Sequence, residues 1–203
     1  RVRRRRVAAR ERSKEEIEGG EVLVLGVLHG LGAACTEAIR AADRHRLIVE
    51  GAARSIDAHG GALYIVERGG ATLAPAFISK GCPPLVEISP EILQRASAAP
   101  TVVEEFLRKQ PVAVGDGVIG RAWQSQQPAL LASLSGAPEL EKMRGTSFAT
   151  TSVMVTPLLY GKQNMGVRAR ANGPLNPPFT ADALFVFKSI EARTALELCT
   201  VLT

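Results

Sequence analysis

The stretch Gly115-Asp116-Gly117-Val118-Ile119-Gly120 matches the G-x-G-x-x-G spacing with which a strand-to-helix turn cradles the pyrophosphate of a dinucleotide. That chemistry needs a strand before the glycines, a long helix opening at the third one, and an acid at the end of the next strand to hold the ribose. Little of this is present. Val112-Ala113-Val114 is a meagre strand, and Pro128 stops the helix eight residues after Gly120. Glu139 lies at roughly the ~20-residue offset, but within SGAPELEK rather than at a strand's end. Asp116 would set a carboxylate against phosphate. The glycines are therefore expected to serve shape. Gly115 and Gly117 permit a tight reversal, and Gly120 lets a short helix lie close on a sheet with Val118, Ala122 and Trp123 turned inward.

Other chemistry-bearing residues are sparse. Cys35, Cys82 and Cys199 have no C-x-x-C spacing, so neither a disulfide framework nor a zinc site is indicated, and a reducing cytoplasm fits. Cys82, alone in the middle of the chain, reads as a small apolar filler. His29, His45 and His59 all fall in or before the first predicted helix, where packing or surface roles are the rule. In GVRARAN, Arg168 and Arg170 alternate with Val167, Ala169 and Ala171, which puts both guanidiniums on one sheet face. If that face lines a cavity, the cavity is cationic and suits a carboxylate or phosphate. If it turns to solvent, the pair is an ordinary polar face, and the cost of burying unligated charge favours this outcome.

The elements that must position these residues follow from periodicity. Leu47, Ile48, Gly51, Ala52, Ser55 and Ile56 recur at helical spacing within Ala41 to His59, and Gly60-Gly61 stops the helix. ALYIVE and ATLAPAFI read as a hairpin across Arg68-Gly69-Gly70, with Pro75 placing the second strand at an edge or over a bulge. Two short helices are predicted between Cys82 and Gln110, one capped by Ser89-Pro90-Glu91 and one by a Thr101 to Glu104 capping box. ALLAS reads as a strand, and the stretch holding Gly136, Pro138 and Gly145 as loop with one helical turn. SVMVTPLLY and MGVRARA form a second hairpin at Gly161 to Asn164. Thr180 caps a final helix with Ala183, Phe187, Ile190, Thr194, Leu198 and Val201 on one face. Hairpins imply an antiparallel sheet, so the fold class is α+β rather than βαβ alternation.

The chain's 203 residues can bury a core without staples. Its net charge of +5 is uneven, because Arg1 to Glu18 holds eight basic against four acidic residues. The folded body thus gives no electrostatic reason to expect nucleic acid. The tail suits either a solvated leader or a segment just cytoplasmic of a membrane span. A start at Arg1 is expected of a domain taken from a longer chain, with any span upstream. VLVLGVLHGLGAAC is too short and too interrupted to span a bilayer, and no secretory cleavage signal is present.

GALYIVE after a helix, VGDGVIGRAWQSQQP, SVMVTPLLYGKQNMGV and PFTADALFVFKSIEARTALEL together resemble a GAF domain, the small-molecule sensor module of signalling proteins. The resemblance covers about Ala41 to Leu202. It implies a GAF-like, profilin-like central antiparallel sheet of five or six strands, with N- and C-terminal helices on one face. A ligand cavity would lie between the other face and the short middle helices. It divides the chain into a basic leader (1–20), a helical or linker segment (21–40) and the domain (41–203). Arg168, Arg170, Tyr64, Trp123 and Met154 are the candidate ligand-binding residues, the two arginines standing where family members often carry apolar residues. The ligand is an unidentified small molecule, with no cofactor named. A homodimer through the terminal helices and an output domain such as a phosphatase, kinase or cyclase are the expected partners, in the cytoplasm.

Departures from the family narrow the ligand. Cyclic-nucleotide binders of this kind carry Asn-Lys, Phe and Asp-Glu, whereas here Gly173 follows Asn172 and Ala183 follows Asp182, although Phe179 is present. Bilin binders often place His after the thioether Cys, and here Thr36, Pro83 and Thr200 follow the cysteines. Haem would need a pocket His. Two other readings stay open: a GAF-type methionine sulfoxide reductase using Cys82, which lacks a resolving partner, and a ligand-free structural dimerisation module.

Overall fold

The computed structural model describes residues 43, 45–50, 58–96, 98–134 and 136–202. The basic tail, the 21–40 segment and most of the first predicted helix lie outside them. Residues 45–50 are helical, with Ile48 and Val49 buried. Strands β1 (Gly60–Val66) and β2 (Thr72–Ile78) form the first hairpin, and helices α1 (Pro90–Ala96) and α2 (Pro100–Leu107) follow. Next come β3 (Val112–Ala113), α3 (Gly117–Ser125), β4 (Ala129–Leu131) and α4 (Pro138–Glu141). The second hairpin, β5 (Ser152–Tyr160) and β6 (Gln163–Asn172), leads to α5 (Ala181–Leu202). All six strands join one antiparallel sheet in the order β3-β2-β1-β6-β5-β4. The fold is α+β, as the alternation of hairpins and helices predicts.

Strand alternation divides the core into two layers. Tyr64, Val153, Val155, Val167, Ala169 and Ala171 join the large cluster beneath the middle helices. Leu63, Leu158 and Met154 lie on the opposite face, in clusters that include Ile48, Val49, Phe187 and Ile190 from the terminal helices. The register is reset by two bulges. Leu158 faces Gly166 and Leu159 faces Asn164, so Met165 is extra and turns to the terminal-helix layer. In β2 a shift beside Pro75 leaves Ala76 unpaired, and β3 pairs only with Thr72 and Leu73. Pro75 thus combines a bulge with a free edge, where its missing N–H costs no ladder bond.

Local signals explain most boundaries. The Ser89 hydroxyl accepts from the Ile92 amide at 3.4 Å at the start of α1, and the Thr180 hydroxyl accepts from the Ala183 amide at 3.2 Å at the start of α5. The expected capping box at Thr101 does not form. Helix α2 begins one residue earlier, with Pro100 in its first turn and Ala99 at the cap, because proline's fixed φ suits that position. Helix α5 buries Phe187, Ile190 and Thr194 as its periodicity predicts. Leu198 and Val201, assigned to the same face, lie outside the described side chains.

Candidate functional site

The glycine turn is occupied by the chain itself. The Ile119 amide, one of those a phosphate would need at the start of α3, donates to the Leu85 carbonyl at 3.2 Å. The Asp116 carboxylate accepts from the Glu87 amide at 3.4 Å. Gly117 adopts φ 56° with Leu85 O only 2.6 Å from where a Cβ would stand. A Cβ on Gly120 would collide with the Ala113 carbonyl. Glu139 is equally committed: it is buried and accepts from Arg121 at 2.8 Å, tying α3 to α4. The motif is an elbow whose polar groups are spent on the neighbouring loop.

The face beneath the middle helices holds Tyr64 and Trp123, both expected ligand residues, in one apolar cluster with Leu85, Ile119, Leu140, Met143 and Phe148. Within this cluster the titratable groups are the Tyr64 hydroxyl and the Cys82 thiol. Burial, and then the nearby Cys82 and Asp116, push the phenol well above its ordinary value. Burial pushes the thiol up to about 12, with Glu104 adding to it and Arg170 opposing. Both groups are therefore neutral at physiological pH. A protonated thiol, fully buried and directed at the Pro83 carbonyl 3.6 Å away, is a poor nucleophile.

Arg168, Arg170 and Met154 occupy the opposite face, so the five expected residues do not line one cavity. The arginines also do not face solvent, the outcome favoured on charge cost: both are fully buried under the terminal helices. The physical reason is an acid that sequence reading did not connect to them. Arg168 Nη1 donates to Glu191 Oε1 at 2.8 Å and reaches Thr194 Oγ1 at 3.5 Å, while Nη2 donates to the Ile48 carbonyl at 2.8 Å. Its guanidinium also lies 5.2 Å from the Phe187 ring centroid. Arg170 Nη2 donates to the Val49 carbonyl. Gly61, its cross-strand neighbour, makes the room, because a Cβ there would collide with Arg170 Nη1. Gly60-Gly61, read as a helix stop, thus opens β1 and accommodates a guanidinium.

This cluster carries two cations against one carboxylate. Burial lowers both arginine pKa values, and Arg168 further lowers that of Arg170; Glu191 opposes both shifts. Burial raises Glu191 to about 7 against the pull of Arg168 and Arg170. Arg168 Nε, Arg170 Nε and Nη1, and Glu191 Oε2 have no hydrogen-bond partner. A signal for Glu191 did exist. It stands within the buried stripe of Phe187, Ile190 and Thr194, where a charged residue requires a counter-charge.

Comparison with solved proteins finds GAF domains of the same fold. The GAF domain of the Acinetobacter phosphoenolpyruvate-protein phosphotransferase superposes with a TM-score of 0.62 at 15% identity, covering 87% of this chain and 93% of that one. The GAF-B domain of DevS from Mycobacterium smegmatis superposes at 0.55 with 20% identity, over 80% and 95% of the two chains. The chain has a GAF-like fold. The free methionine-R-sulfoxide reductase of Neisseria meningitidis, solved in complex with its substrate, shares the GAF-like architecture at a TM-score of 0.59 and 12% identity, over 86% and 87%. No protein-family model and no curated protein matches the sequence. Among the described residues, no group of three or more His, Cys, Asp or Glu could hold a metal, and no helix is long and apolar enough to cross a membrane.

Proposed function

We propose that this GAF-like domain is a regulatory module of a multidomain signalling protein. It takes a small, uncharged, largely apolar molecule against the Tyr64 face of the sheet and reports through its terminal helices. The observation that carries this reading is the division of labour between the two faces. Tyr64, Trp123 and the middle helices form an apolar surface with a neutral phenol, while among the described residues the buried Arg168 and Arg170 bond the terminal helices. The described structural neighbours include GAF domains of a phosphotransferase and of DevS, which supports a place in a larger protein with an output domain. In this reading the terminal helices also form the dimer, with Phe185, 71% exposed on α5, at the seam.

Thermal shift against a panel of metabolites and nucleotides tests the ligand reading. A saturable rise with an uncharged ligand, reduced in Tyr64→Phe, is expected, and cyclic nucleotides should leave the midpoint unchanged. The close packing of the cluster favours a second reading, a ligand-free dimerisation module, which a panel without any shift would support. Light scattering of Phe185→Asp tests the dimer: a mass equal to that of the wild type would refute assembly through this face. The likeness to the sulfoxide reductase gives the Cys82 reading no support at the thiol itself, which is buried and protonated.

A further inference from the structure

Strand β6 is covered on both sides, and consecutive residues report to different layers. Val167, Ala169 and Ala171 touch the Tyr64 cluster, while Arg168 and Arg170 hold the terminal helices. Anything that displaces β6 from the Tyr64 side must move the guanidiniums on the other. The two arginines are not equivalent. Arg168 bridges both terminal elements, taking Glu191 and Thr194 from α5 and the Ile48 carbonyl from residues 45–50. Among the described residues Arg170 holds the Val49 carbonyl, and its Nε and Nη1 are unpaired in a cluster where Glu191 Oε2 is also unpaired. Arg170 stands two residues from Arg168 on the same face of β6, next to the guanidinium that holds Glu191.

From this geometry we propose that Arg170 is a two-position latch, holding the Val49 carbonyl in the present arrangement and the free Glu191 oxygen in a second one. Movement of β6 selects between them and so loosens or secures the Val49 end of the helical segment 45–50, which Arg168 also holds at Ile48. Each position satisfies one acceptor and leaves the other unfilled. Packed layers respond to small shifts by switching between such discrete arrangements rather than deforming smoothly. The latch rests on the reading that the Tyr64 face is where the domain is perturbed, and it supplies the route from that face to the helices.

Hydrogen exchange of the intact chain tests the latch without any ligand. Ala169→Val adds volume on the Tyr64 side of β6, and Val167→Ala removes it. Protection of residues 45–50, measured relative to α2, is expected to change by about fivefold or more. The change should disappear when Arg170→Met is added. A change that survives Arg170→Met at full size would overturn the latch, as would unaltered exchange at 45–50 while the β6 amides respond. If Ala169→Val fails to fold, the Val167→Ala comparison decides by the same criteria. A ligand panel without shifts refutes the sensor reading and leaves this result standing, so the two fail separately.

Discussion

Opposite consequences are expected from removing two members of one buried cluster. Glu191→Leu leaves Arg168 and Arg170 side by side, fully buried and facing each other without an acid. Arginine cannot shed its proton to escape, so the cost of an uncompensated buried charge applies, about 3–5 kcal/mol. Arg170→Met, by contrast, restores one cation to one carboxylate and keeps the 2.8 Å Arg168–Glu191 pair. It removes two unpaired buried N–H groups, each costing about 1–3 kcal/mol, and orphans the Val49 carbonyl at a similar cost. A relief of about 2–6 kcal/mol against a loss of about 1–3 kcal/mol leans toward stabilisation. Urea denaturation at about pH 8, above the Glu191 pKa of about 7 so that the carboxylate is ionised, followed by circular dichroism, reads both. Glu191→Leu should lose a large part of a typical domain's stability, and Arg170→Met should unfold at or above the wild-type midpoint. If Arg170→Met proves as damaging as Glu191→Leu, charge balance is not what governs this layer, and the reasoning fails.

Further outcomes follow from the same observations. Gly120→Val should destabilise by about 2 kcal/mol or more, because its Cβ meets the Ala113 carbonyl, a rigid backbone atom; dinucleotides should leave the wild-type midpoint in place. Burial raises the Glu191 pKa from 4.5 to about 7, so the native chain holds a proton that the unfolded chain has released in that window. The stability linked to this proton is therefore full below pH 4.5 and is lost as pH rises to about 7, and urea midpoints of Glu191→Gln across the window should lack that slope. In a chain with Cys35 and Cys199 replaced by serine, alkylation of Cys82 by iodoacetamide should proceed only at the rate of opening. Rapid labelling of the folded protein would contradict a thiol that is buried and pushed up to about 12.

Legibility in the sequence followed the range of the interactions. The hairpin at Gly69-Gly70, the caps at Ser89 and Thr180 and the buried stripe of α5 were readable, because each depends on residues a few positions apart. The Thr101 capping box misled, since Pro100 competes for the same helix start. The period-two placement of Arg168 and Arg170 on one face was correct, yet the sequence offered only solvent or a ligand as their surroundings. Their carboxylate lies 23 residues from Arg168, and their backbone acceptors lie more than a hundred residues upstream.

By itself, then, the sequence determined the antiparallel sheet, the order of its helices and the structural use of the GDGVIG glycines. Those follow from alternation, capping and positive φ, which are properties of neighbouring residues. Tertiary structure alone decided that Tyr64 and Trp123 face one layer while Arg168, Arg170 and Met154 face the other. Which layer covers each side of β6 depends on how the terminal helices pack across the sheet, and no local pattern in the chain records that choice.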